Sequence, residues 1–226
     1  EAGLRTYKKY SPFPEELNRQ FISKISKFHF APTKEAVKNL ISEGVSKEKI
    51  LLTGNTVVDA LGIIDQKLNS DSSFLSNLYD CFSSDLSKII SNKRFVLMTG
   101  HRRENFGDSY ISVLKAIKLV FTTHLDLHLI FPVHLNPEVQ KMVSKELFGL
   151  GNIHLLEPLN YPQFILLLKK CFFVITDSGG IQEEAPSFGK TVLVTRKVTE
   201  RNEAINSKQS ILVGTDFNKI VETCNN

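Results

Sequence analysis

The sequence predicts an α/β fold in which parallel β-sheets are covered by helices on both faces. Short apolar runs, of the length of buried strands, alternate along the 226 residues with longer amphipathic segments. Several of these runs lead directly into glycine-rich or charged loops, and ligands of parallel sheets bind at the carboxyl ends of the strands. Hydrophobic residues make up 42% of the chain, which is enough for a sizeable core.

The first part of the chain predicts two helices and two short strands. Leu17, Phe21 and Ile25 recur at helical spacing and predict a first amphipathic helix. Pro32 and the turn signal at Gly54 end two short apolar runs, which predicts a strand before each of them. The predicted helices cover 15–26 and 34–43, and the predicted strands cover 28–31 and 49–52.

The middle of the chain predicts one helix and then a connector. Residues 57–68 have the spacing of an amphipathic helix. Residues 69–93 are rich in Ser and Asp, with weak periodicity around Phe74, Leu78 and Phe82. We therefore expect 69–93 to connect two domains.

From residue 94 onward, strands and helices alternate in a regular order. Predicted strands cover 94–98, 127–131, 153–155, 172–175, 191–194 and 211–213. Predicted helices cover 110–122, 137–147, 162–170, 181–188, 200–205 and 217–223. Repetition of this kind predicts a parallel sheet with helices on both faces.

Charge and cysteine content argue against several classes of protein. The net charge is +4 and the basic residues are scattered, which disfavours a nucleic-acid protein and leaves anionic small molecules as partners. Cys81, Cys171 and Cys224 are far apart and form no CxxC pair, so we expect no disulfide framework and a reducing, cytoplasmic compartment. No stretch reaches the roughly 18 apolar residues of a membrane helix, and His29, His124, His128 and His154 lack metal-ligand spacing with any Cys, Asp or Glu.

The segment 176–184 carries the strongest local signal. It follows an apolar strand and opens a helix, where Gly179 and Gly180 allow close approach of a ligand and free N–H groups favour an anion. Ser178 adds a hydroxyl donor, so the segment suits a diphosphate. Glu184 lies one helical turn beyond Gly180 and could accept hydrogen bonds from both ribose hydroxyls. A plain N-cap followed by an acidic turn explains the same residues, and the pattern is neither GxGxxG nor a Walker loop.

Three further segments contain residues that could bind or react. The loop 99–107 combines His101, Arg102 and Arg103, which suits phosphate binding near neutral pH but also fits a solvated charged loop. His134 follows another predicted strand, and taken alone it is more often a core or capping histidine. Glu15 begins a helix after two prolines, where an acidic residue is also favoured without any function.

Taken together, the segments resemble the non-hydrolysing UDP-N-acetylglucosamine 2-epimerases. The resemblance rests, in this order and spacing, on EAGLRT, SPFPEELNR, TGNTVVDAL, TGHRREN, PVHLNP and TDSGGIQEEAPSFGK, and it runs from Glu1 to about Val221. It implies two Rossmann-like domains that face a cleft, as in the GT-B glycosyltransferases, with the first domain present only in part. Residues 1–56 would belong to the first domain, and 57–226 would form the second, UDP-binding domain.

The resemblance also implies an isomerase that interconverts UDP-N-acetylglucosamine and UDP-N-acetylmannosamine. The C2 proton leaves, UDP departs from C1 by anti elimination to give a 2-acetamidoglucal, and UDP then adds back as a proton reaches the other face of C2. Neither a metal nor a nicotinamide cofactor is needed.

Matched position by position, several residues of this chain acquire implied roles. Ser178, Gly179 and Gly180 correspond to the diphosphate cradle, and Glu184 to the ribose-binding carboxylate. Glu1 and Glu15 correspond to two acid/base carboxylates, and His101 to the group at the leaving diphosphate. Arg19 is a substrate-binding position, and Arg102 or Arg103 with His134 would lie near a second, activating substrate molecule.

The sequence also departs from the family pattern. An upstream half that supplies a catalytic Asp is not found before Glu1, so we expect an N-terminally truncated chain that binds UDP weakly and turns over poorly or not at all. Dimers are usual in the family, which implies a homodimer. A GT-B glycosyltransferase, a non-catalytic UDP-binding remnant and a hydrolysing epimerase that releases N-acetylmannosamine remain as alternatives.

Overall fold

The computed structural model describes residues 1–100 and 107–225, and these residues form two parallel sheets with flanking helices. The first part of the chain contains α1 (Glu15–Ile25), β1 (His29–Ala31), α2 (Lys34–Ser42) and β2 (Ile50–Leu52). Three helices follow, α3 (Thr56–Ser70), α4 (Ser72–Asp80) and α5 (Ser84–Asn92). The strands β1 and β2 pair with each other in a small two-stranded sheet.

The remainder of the chain builds a six-stranded sheet. Its strands are β3 (Phe95–Thr99), β4 (His128–Pro132), β5 (Ile153–Leu156), β6 (Val174–Thr176), β7 (Val192–Val194) and β8 (Ser210–Leu212). Its helices are α6 (Asp108–Thr123), α7 (Pro137–Leu147), α8 (Tyr161–Lys170), α9 (Gly179–Glu184), α10 (Asn202–Asn206) and α11 (Phe217–Asn225). The predicted alternation of strands and helices is therefore confirmed.

The order of the strands defines where a ligand would bind. The order is β5-β4-β3-β6-β7-β8, and every neighbouring pair is parallel. This is the doubly wound order of dinucleotide-binding folds, in which the direction of winding reverses between the two central strands. Here the reversal falls between β3 and β6, so the crevice at their carboxyl ends is the expected binding position.

Both faces of the larger sheet are packed, as a parallel sheet requires. Val96 and Met98 of β3 contribute to a core with α6, α7 and α11. Phe95 and Leu97 of the same strand point to the opposite face and contribute to a core with α3, α5 and α8. Alternate residues of one strand therefore reach two separate cores.

The smaller sheet has a core of its own and also an open apolar surface. Its buried residues are Leu4, Ala31, Ala36 and Leu40. Large hydrophobic side chains on α1 and beside β1 are exposed, namely Phe21, Ile22, Ile25, Phe28 and Phe30. In the described part of the chain, β1 pairs only with β2, so its other edge is free.

The stretch 69–93, expected to connect two domains, is helical and packs on the larger sheet. This stretch forms α4 and α5, and their N-termini are capped by the side chains of Asp71 and Ser83. Leu78 and Ile90 are buried in the core beneath the larger sheet. Ser and Asp are frequent here because they cap helices and cover their exposed faces, which the composition alone does not distinguish from a linker.

Within residues 1–100 and 107–225, no helix is both long and apolar enough to cross a membrane.

Candidate functional site

The central strands β3 and β6 end side by side at the point where the winding reverses. The hydroxyl oxygens of Thr99 and Thr176 lie 2.6 Å apart, and the Thr176 hydroxyl also accepts the backbone N–H of Ser178 over 2.9 Å. These contacts fix the direction in which the chain leaves β6 and enters α9. The start of α9 is thereby placed at the ligand-binding edge of the sheet.

The segment Ser178–Gly180 lies at the start of α9, where Gly179 is buried and Gly180 is exposed. The helix starts at Gly179, two residues before the predicted start, and continues as a 3₁₀ turn over Ala185–Phe188. The side chain of Ser178 makes no capping hydrogen bond. A methyl group built on Gly180 would meet no atom closer than the Ser178 hydroxyl at 3.9 Å. Backbone N–H groups at a helix start beside open space suit an anion.

Glu184 is buried at the end of α9, and Tyr161 at the start of α8 contacts it. The Tyr161 hydroxyl donates a hydrogen bond to Oε1 of Glu184 over 3.0 Å. Burial raises the pKa of Glu184 above its ordinary value, the carboxylate of Glu183 adds to the rise, and the bond from Tyr161 opposes it. Burial and the same bond raise the pKa of Tyr161 to about 12, so its hydroxyl stays protonated and remains a donor.

Gly179 allows an arginine to lie against the start of α9. A methyl group built on Gly179 would come within 2.5 to 2.9 Å of the guanidinium atoms of Arg201. Because no real side chain tolerates such a contact, Arg201 can occupy this position only beside glycine. A positive charge is therefore held directly against the segment predicted to bind a diphosphate.

Arg201 also connects this segment to the first residue of the chain. Its Nη2 lies 3.1 Å from Oε1 of Glu1 and 2.8 Å from Oε1 of Glu183. Its Nη1 donates to Glu200, which is buried. We call Arg201, Glu1, Glu183 and Glu200 the Arg201 cluster. It joins residues that are up to 200 positions apart in the sequence.

Glu1 is held at both of its carboxylate oxygens. Oε1 faces Arg201, and Oε2 accepts a hydrogen bond from Nη1 of Arg19 over 2.8 Å. Burial alone would raise the pKa of Glu1, but the two arginines outweigh it and hold the pKa below its ordinary value. Arg19, predicted to bind substrate, therefore contacts a predicted catalytic carboxylate.

Glu1 and Glu15, the two predicted acid/base carboxylates, line one cavity. Its volume is about 490 Å³, and Arg19 and His29 also line it. The structure thus places two carboxylates that are 14 positions apart in sequence on one cavity.

Glu16, the neighbour of Glu15, is fully buried and makes different contacts. Its two carboxylate oxygens accept the backbone N–H groups of Thr6 and Tyr7 over 3.0 and 3.1 Å. Arg19 also lies 3.3 Å from Oε2. Glu16 therefore anchors the segment that leads away from Glu1, which gives it a role in folding.

The remaining predicted residues fall in two places. His134 lies in the exposed loop after β4, where its Nδ1 accepts the N–H of Asn136 over 3.1 Å, just before α7 begins. The helix itself is capped by the side chain of Asn136, which accepts the N–H of Glu138. His101, Arg102 and Arg103 lie outside the described residues.

Two residues of the site were not singled out by the sequence, Arg201 and Tyr161. Arg201 lies in the segment 199–203, where two glutamates flank an arginine after a predicted strand. This charge pattern is the sequence feature that could have indicated it. Tyr161 carries no local signal, because its contact with Glu184 is made across 23 positions.

The fold and this site define a class of protein. It is the GT-B-like α/β class, in which Rossmann-like sheets face a cleft that is lined by ligand-binding side chains. Within that class, the chain belongs to the UDP-N-acetylglucosamine 2-epimerase family, whose model matches residues 1–226.

Comparison with individual relatives gives the extent of the likeness. A UDP-N-acetylglucosamine 2-epimerase of Campylobacter jejuni is 49% identical over 214 residues, covering 95% of this chain and 56% of the relative. The Neisseria meningitidis UDP-GlcNAc 2-epimerase bound to UDP-GlcNAc is 41% identical with a TM-score of 0.94, over 100% of this chain and 59% of that one. The Staphylococcus aureus MnaA–UDP structure is 43% identical with a TM-score of 0.88, over 100% and 58%. The chain therefore spans a little over half the length of these relatives.

Proposed function

We propose that this chain takes part in the interconversion of UDP-N-acetylglucosamine and UDP-N-acetylmannosamine by elimination and re-addition of UDP. One observation carries the proposal. Arg201 joins Glu1, the expected acid/base carboxylate, to Gly179 and Glu183 of the expected diphosphate segment. Chemistry at a sugar carbon next to a departing diphosphate needs these two groups close together.

The binding roles follow from the contacts at α9. The Ser178 hydroxyl and the N–H groups of Gly179 and Gly180 bind the diphosphate of UDP, because they begin α9 beside the Arg201 guanidinium and the space at Gly180 is open. Glu184 accepts hydrogen bonds from the ribose hydroxyls, and Tyr161 fixes the orientation of its carboxylate. Relatives in structures with UDP-GlcNAc or UDP support this choice of ligand.

The proton-transfer roles belong to the carboxylates that share a cavity. One of Glu1 and Glu15 takes the proton from C2 while the electrons of the C–H bond form the C1–C2 double bond and UDP leaves C1 with its bonding electrons. UDP then returns to C1 as a proton is delivered to the opposite face of C2. On the family resemblance, His101 acts at the leaving diphosphate, and Arg102 or Arg103 with His134 bind a second, activating substrate molecule.

Domain organisation and assembly are part of the same proposal. We assign 1–56 to one Rossmann-like domain and 57–226 to a second, because α3 begins at Thr56 and packs on α8 and α9 of the larger sheet. We assign the protein to the cytoplasm as a homodimer. Light scattering coupled to size-exclusion chromatography tests the dimer, and a monomeric mass would contradict it.

Proton NMR of the purified chain with UDP-N-acetylglucosamine tests the function. We expect saturation transfer to the uridine protons, and growth of UDP-N-acetylmannosamine anomeric signals would show that this chain also turns over. Saturation transfer to the uridine protons without growth of the UDP-N-acetylmannosamine signals would support UDP binding and would show that the 226-residue chain does not turn over. Absence of transfer would contradict the proposal altogether.

A matched pair of variants makes this experiment specific to the site. Glu184→Gln removes the carboxylate expected to bind the ribose, so transfer to the ribose protons should fall strongly. Glu222→Gln makes the same chemical change on the exposed surface of α11 and should leave the transfer unchanged.

A further inference from the structure

Arg201 is surrounded by carboxylates on three sides. Its Nε and Nη2 face Glu183, its Nη1 faces Glu200, and its Nη2 also faces Glu1. The guanidinium is largely buried, with 9% of the side chain exposed, whereas half of the Glu1 side chain is exposed. The contact with Glu1 is therefore the one nearest to solvent and the easiest of the three to break.

The same guanidinium lies within reach of a ligand at the start of α9. It packs against Gly179, whereas the space in front of Gly180 is open. A phosphate bound to the N–H groups of these glycines would approach Arg201 closely. Guanidinium and phosphate form strong, often bidentate hydrogen bonds, so an arriving diphosphate would compete with Glu1 for the same donors.

Each carboxylate of the Arg201 cluster has a second partner. Glu1 keeps Arg19 at 2.8 Å, Glu183 keeps the Asn55 side-chain amide at 2.5 Å, and Glu200 keeps Arg196 at 3.2 Å. An unpaired buried charge is strongly destabilising. Because all three carboxylates retain another donor or cation, Arg201 can turn away from one of them without leaving it isolated.

We propose that Arg201 is a positioning residue that changes partner during the reaction. It holds Glu1 while the diphosphate segment is empty, and it contacts the diphosphate when UDP or the UDP-sugar is bound. This inference rests on the proposed function, since it takes the ligand of Ser178–Gly180 to be a diphosphate and Glu1 to be an acid/base residue.

The exchange gives Glu1 different surroundings in the two states. With ligand bound, Glu1 loses one of its two arginine partners and becomes a better proton acceptor. When UDP leaves, Arg201 returns and the carboxylate is stabilised again. Binding of the diphosphate would thus prepare the carboxylate that acts on the neighbouring sugar ring.

Calorimetric titration with two ligands tests whether Arg201 acts through the diphosphate. For Arg201→Gln we expect UDP to bind about tenfold more weakly, the usual size for a lost charged hydrogen bond, while uridine binds as to the wild type. Arg201→Lys should recover part of the loss. Arg94→Gln makes the same change on an exposed residue at the amino end of β3 and should alter neither affinity.

A double-mutant cycle with Glu1→Ala tests the exchange itself. Removing Glu1 frees Arg201, so UDP should bind at least about threefold more tightly, and this gain should disappear in the Arg201→Gln background because the two residues are coupled. A general effect of removing one negative charge would instead persist in both backgrounds. Uridine affinity should not change in any variant of the cycle.

Gly179→Ala provides a variant that keeps Arg201 itself. The added methyl group would displace only the far end of the Arg201 side chain, and Gly179 does not have a positive φ, so the chain should still fold. We expect weaker UDP binding and loss of the Glu1→Ala effect.

The outcomes separate this inference from the proposed function. UDP binding with equal Glu1→Ala effects in both backgrounds would overturn the partner exchange and leave the UDP site intact. Equal losses of UDP and uridine affinity in a folded Arg201→Lys protein would show a purely structural role and would also overturn it. Failure of the wild type to bind UDP would overturn both.

Discussion

The hydroxyl group of Tyr161 donates a hydrogen bond to Oε1 of Glu184 over 3.0 Å and thereby connects the start of α8 to the end of α9. The contact stabilises a carboxylate in a buried position, where its pKa would otherwise rise further. Glu184 thus remains an acceptor while it is shielded from water. A carboxylate of this kind suits paired hydroxyl groups such as those of a ribose.

Tyr161→Phe should weaken uridine binding under mildly acidic conditions. Loss of the hydrogen bond raises the pKa of Glu184, and binding that needs the carboxylate is lost as the pH falls through this pKa. The loss should therefore begin at a higher pH in the variant than in the wild type. Calorimetric titration with uridine between about pH 5 and pH 8 measures the shift. Tyr10→Phe, at an exposed tyrosine, should follow the wild-type profile, and identical profiles for Tyr161→Phe would argue against a ribose role.

Glu184→Gln should stabilise the ligand-free chain while it weakens binding. A carboxyl group with a raised pKa opposes folding when it is ionised, and this penalty is complete above the folded-state pKa and absent below the unfolded-state pKa. We expect the free energy of unfolding at neutral pH to rise by about 1 kcal/mol, which is a typical gain when a destabilising functional residue is replaced.

Urea unfolding at several pH values checks the sign of this effect. The difference between Glu184→Gln and the wild type should shrink as the pH falls towards the ordinary carboxyl pKa of 4.5. A variant that is less stable than the wild type at neutral pH would show that the carboxylate is needed for folding.

Arg5→Ala should destabilise the smaller sheet severely. The Arg5 side chain is fully buried and makes two hydrogen bonds to Glu43, at 2.7 and 2.8 Å, and one to Ser23. The substitution leaves the partly buried carboxylate of Glu43 without its buried cation, which costs about 3 kcal/mol. Lys38→Ala breaks an exposed pair with Glu35 and should change the free energy of unfolding by less than about 1 kcal/mol. Similar losses for the two variants would contradict this contrast.

The sequence predicted those parts of the fold that depend on local patterns. The parallel sheet followed from alternating segments, and a helix after β6 followed from a strand that leads into small residues, although α9 starts at Gly179 and not at 181. The two helices within 69–93 were not predicted, because capping residues and linker residues share a composition and burial of Leu78 depends on the sheet below it.

The ionic contacts of the site could not be predicted in the same way. Arg201 meets Glu1 only because β7 and its following loop return to the cleft, and no local pattern encodes that distance. The resemblance to a family supplied Glu1 and Glu15 as a pair, and the structure places both on one cavity. The resemblance did not predict that the neighbouring Glu16 is buried, because its burial depends on how the first residues of the chain fold around it.

Glu16→Gln should destabilise the chain at neutral pH by about 2 kcal/mol, the size expected when backbone donors lose a charged acceptor. The amide can accept at only one of its two heavy atoms, so the N–H group of Thr6 or of Tyr7 loses its partner.

Burial alone would raise the pKa of Glu16, but the hydrogen bonds from Thr6, Gln20 and Arg19 outweigh it and hold the pKa below 4.5. The stabilisation is therefore complete above pH 4.5 and is lost as the pH falls through the lower folded-state pKa. Unfolding in urea at neutral pH and below about pH 4 should show a large difference that shrinks on acidification. Glu222→Gln should match the wild type at every pH. If the loss of stability in Glu16→Gln did not change with pH, side-chain packing and not the carboxylate charge would stabilise the segment around Thr6 and Tyr7.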